Sequence, residues 1–239
     1  MKIIIKSVWI MTIMTLIAAC RLSAAAGVIS DSLTIKSEAV FYSSEDSLCT
    51  VSIKYPVIQG MNNKSVQEKI NSFLKIEFLD SPEWLNIDDC DKEIGFTYEC
   101  SFNVRYNSQK FICIQQFIYE YTGGAHGNYA LYSFNISAST GEVISLTNIF
   151  DEQKLSELSE ITRLQILEDF KAETLVDVGM FEDSIYILPE QDFFIVPGYL
   201  VLQFDPYEIA SYAMGEIEVQ IAFDKIKEYL KPNLPFDVE

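Results

Sequence analysis

The stretch Tyr119-Glu120-Tyr121-Thr122-Gly123-Gly124-Ala125-His126-Gly127 decides how this chain is read. It closes a strongly alternating run, holds the single histidine of a 239-residue chain, and leads into a second strand pattern from Tyr129 to Ser137. Two adjacent glycines supply the positive φ that a strand reversal requires. The imidazole beside them can bond main-chain groups of the loop. Gly123, Gly124 and His126 are therefore expected to be structural. A role for His126 as a general base would need a nucleophile within reach, and none is recognisable.

Working outward, Phe96 to Tyr106 and Lys110 to Tyr121 read as a long hairpin turning near Asn107-Ser108. With Tyr106 opposite Gln109, Cys100 faces Gln115 and Cys113 faces Phe102. The two cysteines then share a sheet face and sit diagonally. The hairpin's aromatics (Phe96, Tyr98, Phe102, Phe111, Phe117, Tyr119, Tyr121) are expected to be core and cross-strand partners rather than a sugar platform.

Strand patterns at Leu33–Tyr42 and Ser47–Tyr55 precede it, the second interrupted by Pro56 and Gly60. Between them and the hairpin, Asn62 to Leu79 has helical spacing, with Val66, Ile70, Phe73, Leu74 and Phe78 on one face and a capping box at Ser65-Val66-Gln67-Glu68. Downstream come a short strand from Val143, a helix over about 153–173, strands at Gln191–Val196 and Tyr199–Phe204 joined by Pro197-Gly198, a strand at Glu216–Ile221 and a closing helix at Asp224–Leu230. Strands and helices in this order predict an α+β fold: antiparallel sheets with helices packed on one face, in two interlocked sub-lobes.

Residues 1–19 read as a signal peptide. Lys2 and Lys6 precede an apolar run, Val8 to Ala19, that is too short to span a bilayer. Ile17-Ala18-Ala19-Cys20 resembles a lipobox, which makes Cys20 the lipidation candidate. Cleavage after Ala24-Ala25-Ala26, giving a soluble secreted or periplasmic protein, and an uncleaved anchor are the alternatives. Residues 20–31 form a tether. Loss of the signal peptide removes two lysines and no acid, moving the formal charge from −18 to −20. Such a surface has no general affinity for nucleic acid, and membrane attachment would come only through a lipid anchor.

Cys49, Cys90, Cys100 and Cys113 remain, an even number that in an exported chain suggests disulfides. Three connectivities are open, as is the alternative of buried thiols. The acidic loop over 80–93 contains Asp88, Asp89, Asp91 and Glu93. It lacks the glycine and terminal glutamate of an EF-hand and reads as a solvated loop, with a contact for a basic partner as the sharper alternative.

Tyr121-Thr122-Gly123-Gly124-Ala125-His126 resembles the YTGGAH signature of a bacterial extracytoplasmic domain of unknown function. That domain is shared by the lysozyme-sensing anti-sigma factor RsiV and the non-catalytic N-terminal region of the peptidoglycan deacetylase PdaC. Leu146–Phe150 resembles the family's L..lF segment, and Tyr207 to Gly215 its YE.A.YA.G segment. The resemblance implies an N-terminal sub-domain over 32–145, a C-terminal sub-domain over 146–231 and a tail over 232–239. It implies a cell-envelope binding module for a cationic, lysozyme-like protein or, alternatively, for a cell-wall glycan. Deacetylase chemistry does not carry over, because two histidines on one metal cannot be drawn from one. A hydrolase using an unrecognised carboxylate pair is the third reading. No cofactor and no metal site is expected.

Overall fold

Six consecutive buried residues, Phe111 to Gln116, organise the molecule. They form the first half of β4 (Phe111–Tyr121), the fourth strand of a five-stranded sheet. A strand buried on both faces is a divider rather than a wall. Phe111 and Cys113 point into one hydrophobic core, and Ile112 and Ile114 into another. The polar pair that follows repeats the alternation. Gln115 donates to the Gln203 side chain on one face. Gln116 donates to the carbonyl of Glu77 (3.3 Å) and to Cys100 Sγ (3.2 Å) on the other. The computed structural model describes residues 32–79, 94–236 and 238, and all of them fall in one compact unit. The predicted signal peptide (1–19), Cys20, the predicted tether (20–31), Cys90 and the predicted acidic loop with Asp88, Asp89, Asp91 and Glu93 lie outside the described residues.

The large sheet runs β1 (Thr34–Ser43), β2 (Cys49–Gln59), β3 (Phe96–Asn107), β4 and β5 (Asn128–Ser137), in spatial order β1-β2-β3-β4-β5. All pairings are antiparallel except β2 with β3, which run parallel from Cys49 opposite Phe96 to Ile53 opposite Cys100. A parallel pair needs a crossover, and α1 (Lys64–Leu79) supplies it. This helix buries Ile70, Leu74 and Phe78. Phe78 meets Phe102 edge-on at 6.1 Å, and Phe73 meets Phe134 at 5.5 Å. Its cap is Asn63, whose Oδ1 accepts from Val66 N–H at 3.2 Å, and not the box predicted at Ser65.

Pro56 does not end β2; it sits opposite Ser37 of β1. The reason lies on the other edge. β3 leaves β2 after Ile53, and two residues beyond Pro56 the Ile58 N–H points to α1, where Asn71 accepts from it at 2.8 Å and donates back to its carbonyl at 2.9 Å. Pro56 lacks its donor on the side that has no strand to receive it.

The smaller sheet, β6 (Phe193–Val196), β7 (Tyr199–Phe204) and β8 (Ile217–Ala222), is antiparallel in that order. Pro197-Gly198 forms its first turn, with Gly198 at φ 81°. The second core gathers this sheet, α2 (Leu146–Ile149), α3 (Leu155–Phe170) and α4 (Phe223–Ile226) over Phe111 and Cys113 of β4. α3 begins two residues later than predicted, after a 3₁₀ turn at Glu152–Lys154, and ends at Lys171 in the left-handed region (φ 54°). The strand expected from Val143 reduces to one bridge with Ile136. The tail is anchored: Phe236 is 5% exposed, stacked on Phe223 at 5.7 Å and set against Phe111 at 5.2 Å.

Among the described residues no sixth strand covers the free edge of β5, beyond the single bridge of Val143 to Ile136. Side chains of the second region do it instead. Asp205 accepts from Leu131 N–H at 3.2 Å, Asp192 accepts from Ser133 N–H at 3.4 Å, and Gln203 Nε2 donates to Leu131 O at 2.9 Å. Asn135 Nδ2 donates to Phe193 O at 2.7 Å. Edge groups that would otherwise template aggregation are thereby satisfied within the chain.

Candidate functional site

The glycine–histidine loop lies between β4 and β5, and Gly123 and Gly124 take φ 102° and 98°. A Cβ on Gly123 would stand 2.5 Å from Ile94 Cγ2. Tyr121 Oη donates to Gly124 O at 3.0 Å and closes the loop from below. Gly127 is the tightest point. A Cβ there would meet the Tyr119 ring at 2.5 Å and Glu120 O at 2.6 Å.

The loop's partner comes from the second region. Tyr212, in the 3₁₀ turn Tyr212–Met214, donates its hydroxyl to Gly127 O at 2.9 Å. His126 Nδ1 contacts the same carbonyl at 2.9 Å, and its exposed ring stacks on Tyr212 with centroids 4.6 Å apart and planes 21° apart. Tyr212 also meets Tyr129 edge-on at 5.7 Å, and Tyr129 meets Phe117 at 5.7 Å. Gly215, at φ 71°, leaves room for the Tyr129 hydroxyl, which would lie 3.3 Å from a Cβ. The two segments singled out separately in the sequence, at Tyr121–His126 and Tyr207–Gly215, are thus the two halves of one latch. The sequence does not single out Tyr212 and Tyr129 as latch residues, because tyrosines that far apart carry no local signal of meeting.

A second tie crosses between the regions at a β-bulge in β3, where the register shifts between Val104 and Tyr106. The bulge aims Arg105 at the small sheet. Its guanidinium pairs with Glu218 and lies 4.0 Å over the Phe194 ring.

The latch surface is aromatic and acidic. Tyr207 is held at φ 72°, an uncommon conformation for a bulky residue. It is 58% exposed and lies 5.7 Å from Tyr212. Beside it, Glu208 accepts from Asp205 N–H at 2.9 Å and from Gln191 Nε2 at 3.0 Å. Burial pushes the carboxyls of Asp192 and Asp205 up to about 6, with the neighbouring acid Glu208 adding to both. Each is committed to a β5 amide, so the pair reads as an edge cap rather than a hydrolytic pair.

The cysteines do not sit as the sequence register placed them. The observed pairing sets Cys100 opposite Ile118 and Cys113 opposite Tyr106. Cys100 belongs to the first core and Cys113 to the second, on opposite faces of the sheet. They are both free and buried. The predicted shared face fails because the bulge between Val104 and Tyr106 lies between the two positions: the offset is four residues at Cys113 but three at Cys100, and an odd offset reverses which side chains face inward. Burial raises the Cys100 thiol to about 11 and the Cys113 thiol further, so neither is a ready nucleophile. Cys49 is fully buried and is not among the free thiols.

Among the described residues no cluster of three or more His, Cys, Asp or Glu is placed to hold a metal, and no helix is long and apolar enough to cross a membrane.

Charge is unevenly divided along the chain. Residues 172–224 contain eleven Asp and Glu and no Lys, Arg or His. Among the described residues, only Glu218 and Asp224 of these acids pair with a cation.

Comparison with known proteins matches both regions. A family model described as "Deacetylase PdaC" matches residues 42–129, and one described as "Protein of unknown function (DUF3298)" matches residues 147–224. The peptidoglycan-N-acetylmuramic acid deacetylase PdaC of Bacillus subtilis is 29% identical over 119 residues, 47% of this chain and 25% of that protein. The chain therefore spans about a quarter of that relative's length. Two crystal structures share the fold. A DUF3298-family protein from Bacteroides fragilis has a TM-score of 0.72 at 18% identity, covering 85% of this chain and 96% of its own. Another, from Pseudomonas aeruginosa PAO1, has a TM-score of 0.68 at 18% identity, covering 84% and 96%. The YTGGAH half of the latch lies in the first match and the Tyr212 half in the second, so the chain joins a region similar to the PdaC model to a region similar to the DUF3298 model.

Proposed function

We propose that this protein is a non-enzymatic binding module of the bacterial cell envelope, exported and anchored through acylated Cys20, that recognises a cationic protein such as a lysozyme-like muramidase. The observation that carries this reading is the unbalanced acidity of residues 172–224, set beside exposed aromatic side chains in the same region. Surface acids without cationic neighbours create a field that speeds encounter with a basic partner, and exposed aromatics supply the contact area that charge alone lacks. The acids of residues 80–93, among them Asp88, Asp89, Asp91 and Glu93, would add to that field. A single histidine and two thiols buried in separate cores support the absence of catalysis. The reading also places Cys49 in a disulfide, in keeping with its burial and export.

The similarity to a region of a peptidoglycan deacetylase favours a second reading, a glycan-binding accessory module. One pair of titrations separates the two. The mature domain should bind hen lysozyme at low salt and lose affinity as ionic strength rises, because exposed charges are screened beyond about 8–10 Å near physiological salt. Retention on purified peptidoglycan with no binding to lysozyme would favour the glycan. Mass spectrometry of the mature N-terminus tests the anchor: a diacylglyceryl Cys20 is expected, and a chain beginning at Gly27 would overturn it.

A further inference from the structure

Phe181, Tyr186 and Leu188 expose 55%, 71% and 59% of their surface within eight residues of chain. They line one groove of about 320 Å³ together with Glu182, Glu208 and Gln191. The run Ser184–Leu188 through this groove belongs to no helix or strand, yet its burial alternates: Ile185 and Ile187 are each 5% exposed, and the residues between and after them face solvent. A period of two is that of an extended chain. The N–H of Ile187 turns inward to Ser159 Oγ at 2.9 Å. The N–H groups of Tyr186 and Leu188 therefore point the other way, and among the described residues neither has a hydrogen-bond partner.

We infer that this groove takes an extended segment of a cationic polypeptide, with basic residues alternating with apolar ones. Main-chain pairing along Tyr186–Leu188 would add it as a strand, the mode by which sheet edges capture peptides. Its apolar side chains would lie among Phe181, Tyr186 and Leu188, and its ammonium groups would meet Glu182 and Glu208. Charge complementarity selects this occupant. The groove sits in the 53-residue stretch that has eleven acids and no base, where an acidic or neutral strand would be repelled or left unpaired. The inference rests on the reading of a basic partner and names where that partner inserts.

The probe is a fluorescein-labelled Lys-Val-Lys-Leu-Lys peptide, read by anisotropy against the whole mature chain, with Ser-Val-Ser-Leu-Ser as the uncharged control. The wild type should bind the basic peptide at least about tenfold more tightly than the control. Combining Tyr186→Ser with Leu188→Ser should weaken binding about tenfold or more, as loss of an apolar anchor does. Glu182→Gln should weaken it a few-fold, and Phe41→Ser, at an exposed site away from the groove, should change nothing. Equal binding by wild type and the double variant, or no binding by wild type, overturns the groove. Lysozyme binding that persists in the double variant overturns the groove and leaves the basic-partner reading standing. Groove-dependent peptide binding without lysozyme binding does the reverse. A concentration-dependent dimer abolished by the same double variant would assign the groove to a second copy and overturn the proposal.

Discussion

The two regions solve the problem of a sheet differently. The first builds five strands and closes one face with its own helix α1, whose Ile70, Leu74 and Phe78 complete a core drawn from residues 33–138. The second builds three short strands, and its core is completed by Phe111 and Cys113, which belong to β4 of its neighbour. One region could close its core from its own residues; the other borrows. The lesson is that two family matches along a chain need not mean two independent folding units. Here β4 is the shared wall, and the latch at Gly127 and the Arg105–Glu218 pair hold the borrower in place.

The largest test of that comparison is Phe111→Ala. Phe111 is fully buried between Tyr106 (5.5 Å) and Phe236 (5.2 Å), and its loss should cost about 3–5 kcal/mol in urea unfolding. If the second region truly depends on β4, the variant should lose the near-ultraviolet signals of both cores in one transition. A second region that melted separately and unshifted would break the comparison.

Gly127→Ala should come next, at about 1–3 kcal/mol, because the added methyl meets the backbone carbonyl of Glu120 as well as the Tyr119 ring. Tyr212→Phe removes only the hydroxyl bond to Gly127 O and should cost about 1 kcal/mol. His126→Ala should cost less than that, since its ring is exposed. A reversed order, with His126→Ala the most costly, would sink the assignment of the latch to Tyr212.

The cysteines sharpen the division between cores. Thiol titration of the unreduced protein should find two free thiols, slow to react in the native state and fast in urea. Cys100 and Cys113 are both buried, with their thiols raised by that burial. Oxidants should not join them, because the sheet lies between them.

The smallest effect is on pH. Asp192 and Asp205 are raised to about 6 in the folded state, so the native chain holds their protons more tightly than the unfolded chain does. Their contribution to stability is present below about pH 4 and is lost as pH rises through about 6. Asp205→Asn, which keeps an oxygen for Leu131 N–H, should flatten the fall in Tm between pH 4.5 and 7 measured by calorimetry. The lowered carboxyls of Glu157 and Glu160 act below that window and should leave the difference untouched.

Much of the fold could be read locally. The strand patterns of β1, β3, β4 and β5, the apolar stripe of α1 and the Pro197-Gly198 turn all follow from residues within a few positions of each other, where φ/ψ preference and side-chain period suffice. The glycines of the Tyr121–His126 segment likewise declared a strand reversal, and the positive φ at Gly123 and Gly124 agrees. Other features depended on distance. The hairpin register turned on a turn that sets Asn107 opposite Ile112 and on a bulge at Arg105, which no local rule sets, and the bulge sent Cys100 and Cys113 to opposite cores. The persistence of β2 through Pro56 depended on where β3 departs and on Asn71 arriving from α1. The joining of His126 to Tyr212 depended on the second region docking over the first. Local sequence set which residues form strands and helices, because those choices are made by neighbours along the chain. The face each residue presents, the core it enters and the partner it meets were decided only by packing, because those choices depend on groups that the sequence holds far apart.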